Sequence, residues 1–129
     1  MRSYLFVPGD RAERFDKALA TGAHAVIIDL EDAVPPEAKL SARAAIGQWL
    51  HPDKPVYLRC NAHGTPWFDG DLALLDHPAV RGLVLPKAQE PDLLIQLAKS
   101  LRPDQRLLPL VESVYGWDRA RAESFAPVD

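Results

Sequence analysis

Charged and amide side chains stand at the end of one apolar run after another in this 129-residue chain. Asp10 and Arg11 follow Leu5-Phe6-Val7-Pro8-Gly9, and Asp29, Glu31 and Asp32 follow Ala25-Val26-Ile27-Ile28. Arg59 and Asn61 close Val56-Tyr57-Leu58, Lys87 follows Leu83-Val84-Leu85-Pro86, and Glu112 and Ser113 follow Leu107-Leu108-Pro109-Leu110-Val111. Carboxylates, cations and an amide gathered at one place are the parts for general acid–base work, for holding a hard cation and for stabilising an oxyanion. Arg59 and Glu112 carry the most weight, because a charge written onto the end of an apolar strand is seldom buried unless it is paired or binds something.

Blander roles compete for several of these residues. Asp29, Glu31 and Asp32 could cap the following helix or pair with Lys39. Lys87 suits an imine with a carbonyl substrate or an ion pair with a strand-two acid, and the ion pair is preferred because the site already offers carboxylates for a metal. His24, His51, His63 and His77 show no ligand spacing such as H-E-x-x-H and are expected at the surface, with only His63 near the site. The single cysteine, Cys60, excludes an internal disulfide and any multi-cysteine metal cluster, which suits a reducing compartment. Its place in an apolar strand predicts a buried thiol rather than a nucleophile.

Five nearly continuous apolar runs must position these groups: residues 3–7, 25–30, 55–60, 82–86 and 107–112. Such runs suit parallel strands covered on both faces. Between them, Phe15, Ala18 and Leu19 close at Gly22, while Ala42, Ala45, Ile46, Trp49 and Leu50, and later Leu94, Leu97, Ala98 and Leu101, recur at helical spacing. Pro8-Gly9, Pro35-Pro36, Pro52, Pro66, Pro78, Pro91 and Pro103 fall at the boundaries, where a missing N–H and a fixed φ do least harm.

Strand ends at Val7, Leu30, Cys60, Pro86 and Glu112 are spaced by 23, 30, 26 and 26 residues, the rhythm of βα units. A closed (β/α)8 barrel takes about 250 residues, so five units make an open arc whose first and last strands have unpaired edges. An open doubly wound sheet is the alternative, but its G-x-G-x-x-G phosphate turn is missing. The polar residues fall at strand C-terminal ends, where barrels build their active sites. No linker or second domain interrupts the pattern, so residues 1–129 are expected to be the N-terminal portion of a single barrel domain.

The chain is 47% hydrophobic and 26% charged with a formal net charge of −3, the makeup of a soluble globular domain. Basic and acidic residues are interspersed, which argues against nucleic acid and against a polybasic membrane patch. No apolar run approaches the roughly 20 residues of a membrane span, and the start lacks a signal peptide, so a cytoplasmic location is expected.

Taken in order, Arg2-Ser3-Tyr4-Leu5-Phe6-Val7-Pro8-Gly9-Asp10-Arg11, then Ile28-Asp29-Leu30-Glu31-Asp32-Ala33-Val34 with Lys39 and Arg43, form the first two motifs. Arg59-Cys60-Asn61 with Gly64-Thr65-Pro66-Trp67, Leu85-Pro86-Lys87, and Pro109-Leu110-Val111-Glu112 complete them. This series resembles the citrate lyase β-subunit family of the HpcH/HpaI aldolase superfamily over essentially the whole chain. The resemblance implies a TIM (β/α)8 barrel of the phosphoenolpyruvate/pyruvate type, usually a homo-oligomer (trimer or hexamer), with other citrate lyase subunits as possible partners. It also implies Mg²⁺-dependent cleavage of a citryl-type thioester of CoA or acyl carrier protein to an acetyl thioester and an α-keto acid such as oxaloacetate.

By motif match, Glu112 is one of two carboxylates holding Mg²⁺ and Arg59 binds the substrate. The second carboxylate belongs to an F-G-x-x-D segment that lies beyond this sequence. Glu31 and Asp32 are the candidates for the base, with Asn61 and Lys87 beside the substrate. The Gly9-Asp10-Arg11 turn opens the first helix, so free N–H groups there, with Arg11 or Lys17, could take a phosphate of the carrier arm; a plain N-cap by Asp10 explains the same residues. The rival functions are a malyl-CoA or methylmalyl-CoA lyase, an acyl-CoA thioesterase of the same superfamily, and an inactive half-barrel that serves as a binding module. The edges Leu5-Phe6-Val7 and Leu107-Leu108 carry no protective charges, which favours an incomplete enzyme over a self-sufficient module. Val128 reads as the approach to another strand.

Overall fold

The computed structural model describes residues 3–86 and 91–109. Five strands alternate with helices: β1 (Tyr4–Pro8), α1 (Phe15–Ala20), β2 (Ala25–Asp29), α2 (Lys39–Trp49), β3 (Val56–Arg59), α3 (Phe68–Leu72), β4 (Val80–Leu85), α4 (Pro91–Ser100) and β5 (Arg106–Pro109). Each strand lies within a few residues of its apolar run, and β2, buried along its whole length, matches the expectation for a strand covered on both faces. The helix α3 and the 3-10 turn Ala73–Asp76 after it were not legible from periodicity. Phe68, Leu72 and Leu75 are too few, and Gly70 and the two aspartates too polar, to make a helical stripe over so short a span.

The strands are all parallel and ordered β1-β2-β3-β4-β5. A doubly wound sheet reverses strand order at its middle; this one does not, and it is an arc of a (β/α)8 barrel. On the helix side, a core that includes Val7, Phe15, Ile28, Leu30, Ile46, Leu58, Cys60, Leu83 and Leu107 joins sheet to helices. On the other face, Ile27, Val84 and Leu108 cluster with the partly buried Tyr4, Phe6 and Tyr57.

Register stacks that second face in levels. Phe6, Ile27, Tyr57, Gly82 and Arg106 align across the sheet, and two residues further along, Pro8, Asp29, Arg59, Val84 and Leu108 align in turn. The side-chain period of two along a strand puts both levels on one face. Gly82 is demanded there, since a Cβ would stand 2.5 Å from the Arg106 carbonyl oxygen and 2.6 Å from the Tyr57 ring. The upper level, nearest the strand C-terminal ends, carries the charge.

Candidate active site

Asp29 and Arg59 end β2 and β3 directly opposite one another. Arg59 donates from Nε to Asp29 Oδ1 at 2.9 Å and from Nη2 to Oδ2 at 2.5 Å, a two-pronged pair in which both partners are buried. Burial alone would lower the guanidinium pKa, but the Asp29 bonds more than offset it and hold the group above its ordinary value. The Phe6 ring lies 5.0 Å from the guanidinium carbon. Asp29 thus occupies one edge of Arg59, and Nη1 has no partner among the described residues.

Glu31 sits just past the strand, with Oε1 3.8 Å from Arg59 Nε. That oxygen is buried and accepts no hydrogen bond. Burial, reinforced by the neighbouring Asp32 carboxylate, pushes the Glu31 carboxyl up to about 7, with Arg59 pulling the other way. Asp32 itself is exposed. A buried, unsatisfied carboxylate oxygen beside a fixed guanidinium is poised to accept a proton or a hydrogen bond from a ligand.

The loops around this cluster are tied to α2. Lys39 does not pair with the strand-two acids, contrary to the expectation raised by its sequence position. Its ammonium donates instead to the carbonyl oxygens of Leu30 at 2.9 Å and Glu31 at 2.8 Å, and lies 5.3 Å from the Trp67 ring centre. Nor does Asp29 cap a helix: its oxygens accept from the N–H groups of Glu31 and Ala33, closing the turn that follows β2. One turn after Lys39, Arg43 donates to Asp71 Oδ1 at 3.2 Å and to the Trp67 carbonyl at 3.3 Å. Asp71 Oδ2 accepts from the backbone N–H of Asn61 at 2.9 Å and from its amide nitrogen at 2.7 Å.

Asn61 therefore commits its amide nitrogen to the loop rather than offering it to a ligand. Asp71, only 1% exposed, is a residue that sequence reasoning missed. The available signal was the four-residue spacing of Lys39 and Arg43, which puts two cations on one side of an otherwise apolar helix.

Gly9 also has a different role from the one expected. Its N–H donates to the Asp29 carbonyl at 2.8 Å, and that of Arg11 to the Pro8 carbonyl at 3.0 Å, so neither is free for a phosphate. A Cβ on Gly9 would come within 2.8 Å of the Asp29 oxygen, so glycine lets the first turn close against β2. Asp10 does not cap the helical segment, which begins after Arg11 without a side-chain cap. The side chains of Arg11 and Lys17 are exposed, and Lys17 borders a groove of about 360 Å³ between β1 and α1. His24, His51 and His63 are exposed and His77 half-buried; His63 packs edge-on against Phe68. Cys60 is buried, and burial raises its thiol pKa, as expected of an inert cysteine. Lys87, Glu112 and Ser113 lie outside the described residues.

Residues 2–116 match the family described as HpcH/HpaI aldolase/citrate lyase. A citrate lyase subunit beta-like protein of Deinococcus radiodurans is 39% identical over 118 residues, covering 85% of this chain and 40% of the relative. A (3S)-malyl-CoA thioesterase of Cereibacter sphaeroides is 31% identical, covering 89% of this chain and 41% of the relative. Among solved structures, CitE from Mycobacterium tuberculosis in complex with magnesium, acetoacetate and coenzyme A superimposes with a TM-score of 0.69 at 40% identity, covering 88% of this chain and 40% of that one. The chain thus spans about two fifths of the length of these relatives. With the barrel arc and its charged strand ends, these likenesses show that the chain belongs to the HpcH/HpaI aldolase/citrate lyase family.

Proposed function

We propose that these residues are the first five βα units of a single-barrel carbon–carbon lyase that cleaves a citryl-type 3-hydroxyacyl thioester to an acetyl thioester and an α-keto acid. The observation that carries this reading is the orphaned Glu31 oxygen beside an arginine that Asp29 holds in place. Glu31, with a pKa near neutrality, takes the proton of the substrate hydroxyl, whose oxygen becomes the keto group. The carbon–carbon bond breaks, and its electron pair passes to the thioester α-carbon as an enolate. Arg59 stabilises the enolate oxygen, and protonation at carbon completes the acetyl thioester.

Oxygen donors dominate this end of the barrel, which fits magnesium, an ion that keeps several waters and takes one or two protein carboxylates. Glu112 is the residue of this chain proposed to hold it. Among the described residues no three His, Cys, Asp or Glu side chains gather closely enough to enclose a cation. When bound, magnesium supplies positive charge to the keto-acid half of the substrate. The thioester is carried by CoA or an acyl carrier protein, with Arg11 and Lys17 the exposed cations available to its phosphates, and Lys87 adds a further cation beside the substrate. The complete protein is proposed to be a homo-oligomer, with other citrate lyase subunits as possible partners.

Thioester hydrolysis is the second reading, favoured by the likeness to malyl-CoA thioesterases. It uses the same polarised site with water as the nucleophile. Product analysis of the complete protein with citryl-CoA and malyl-CoA, with and without Mg²⁺, separates the two. An acetyl thioester plus a keto acid, lost in Glu112→Gln and Arg59→Lys, supports the lyase. Free CoA plus the intact hydroxy acid supports the hydrolase, and no turnover of either substrate overturns both.

A further inference from the structure

Lys39 is placed where a lysine is costly. It is 7% exposed, and lysine is almost never buried without a counter-charge. It opens the 11-residue helix α2, whose N-terminus disfavours a positive charge. No carboxylate pairs with it among the described residues; its described partners are the carbonyl oxygens of Leu30 and Glu31 and the face of Trp67. Three donors directed at two successive peptide oxygens and one ring fix the backbone that carries Glu31 more closely than a helix end would require. Arg43 supplies the neighbouring anchor, holding the Trp67 carbonyl and Asp71 but no part of the Glu31 turn.

We propose that Lys39 is a positioning residue, holding the peptide groups on either side of the Glu31 nitrogen–carbon backbone so that the Glu31 carboxyl stays buried against Arg59. The inference rests on Glu31 being the proton acceptor of the proposed reaction, but its physical part concerns Glu31 alone. Around that carboxyl stand Asp32 and Asp29 on its own turn and Arg59 from β3, while the Lys39 ammonium from α2 holds the Glu31 backbone carbonyl. When the Lys39 bonds are lost, the turn relaxes, Glu31 reaches water, and its pKa falls from about 7 toward its ordinary value near 4.5.

The test uses the complete protein with Lys39→Met, which keeps a similar stem without donors, and Arg43→Met as a control for loosening of the neighbouring anchor. Two quantities are read: the ¹³C carboxyl shift of Glu31 against pH, and steady-state cleavage of the thioester against pH. In Lys39→Met the Glu31 titration and the acid limb of kcat are both expected to move below pH 6. Turnover should fall by about 10- to 100-fold with KM changed less than about 3-fold, the size of a misplaced reacting group. Arg43→Met should lower the melting temperature and leave the Glu31 titration in place. If Lys39→Met lowers the melting temperature while Glu31 still titrates near 7, Lys39 is only structural and the inference is overturned. Should Lys39→Met not accumulate as folded protein, Lys39→Gln, which keeps two N–H donors without charge, is read by the retention of the titration near 7, and its loss there overturns the inference. A wild-type protein without turnover but with a Lys39-dependent Glu31 titration overturns the lyase reading and leaves the positioning role standing.

Discussion

The Asp29–Arg59 pair is a buried ion pair whose value lies in orientation, since the desolvation of two charges offsets much of their attraction. Removing one partner is another matter. Asp29→Asn leaves the guanidinium buried with a neutral acceptor, and a loss of about 3 kcal/mol in unfolding free energy is expected from chemical denaturation. Glu31 acts in the opposite sense. Folded, it holds its proton up to about pH 7; unfolded, it releases it near 4.5, so the native state binds more protons in between. Stability must therefore fall as pH rises from about 4.5 to 7, and the penalty is complete above the upper value. Allowing for solvent screening, it is on the order of 2 kcal/mol. Glu31→Gln should raise the denaturation midpoint at pH 8, flatten its change between pH 5 and 8, and abolish turnover.

At the scale of elements, parallel pairing on both sides of β2, β3 and β4 sets which side chains meet. The start of β4 and the turn leading into it are held by Arg102 and Gln105 from the loop before β5, whose side chains donate to the carbonyls of Leu75 and Val80, with Arg102 also reaching His77, while β3 joins β4 there through the Val56 N–H and the Ala79 carbonyl. Between the same strands, the Tyr57 ring occupies the space over Gly82. Gly82→Ala forces either the ring or the Arg106 peptide to move, and overpacking of this kind costs about 2 kcal/mol. A melting temperature unchanged by Gly82→Ala would show that the β4–β5 contact is looser than the register implies. The helix α2 serves two loops at once, so a break in it, such as Ala42→Pro, should unfold the site and the core together.

For the whole molecule, the arc has a helix-covered face and a face of Tyr4, Phe6, Ile27, Tyr57, Val84 and Leu108 that is only partly covered by the described residues. Among the described residues, the strand neighbour of β1 is β2. Half-covered apolar faces invite association. Residues 1–129 produced alone are expected to associate with rising concentration in light scattering, and a monodisperse monomer would contradict this. A cavity of about 490 Å³ toward the opposite, N-terminal ends of the strands is lined by residues that include His24, Tyr57, Arg81 and Arg106. No helix among the described residues is long and apolar enough to cross a membrane.

The strands, their spacing and the polar residues at the ends of β2 and β3 were legible in the sequence because burial on two faces writes a local, continuous apolar run, as in Ala25–Asp29. The repeat of such runs and the motifs across them were enough for the barrel and the family. The partners of the charged residues were not legible. Whether Asp29, Glu31 or Lys39 engages what lies nearby depends on register and side-chain parity across about 30 residues of intervening chain, which no local pattern encodes. Asp29 and Arg59 meet because parallel pairing puts them at one level on one face; Glu31 falls beyond that level and is left with a buried oxygen unmet. Lys39 turns to peptide oxygens because α2 starts beneath the turn after β2, and that placement belongs to the packing of helix on sheet. The sequence by itself determined that Asp29, Glu31, Arg59 and Asn61 stand at the ends of β2 and β3, and only the tertiary structure decided which are spent on one another and which keep an unmet atom.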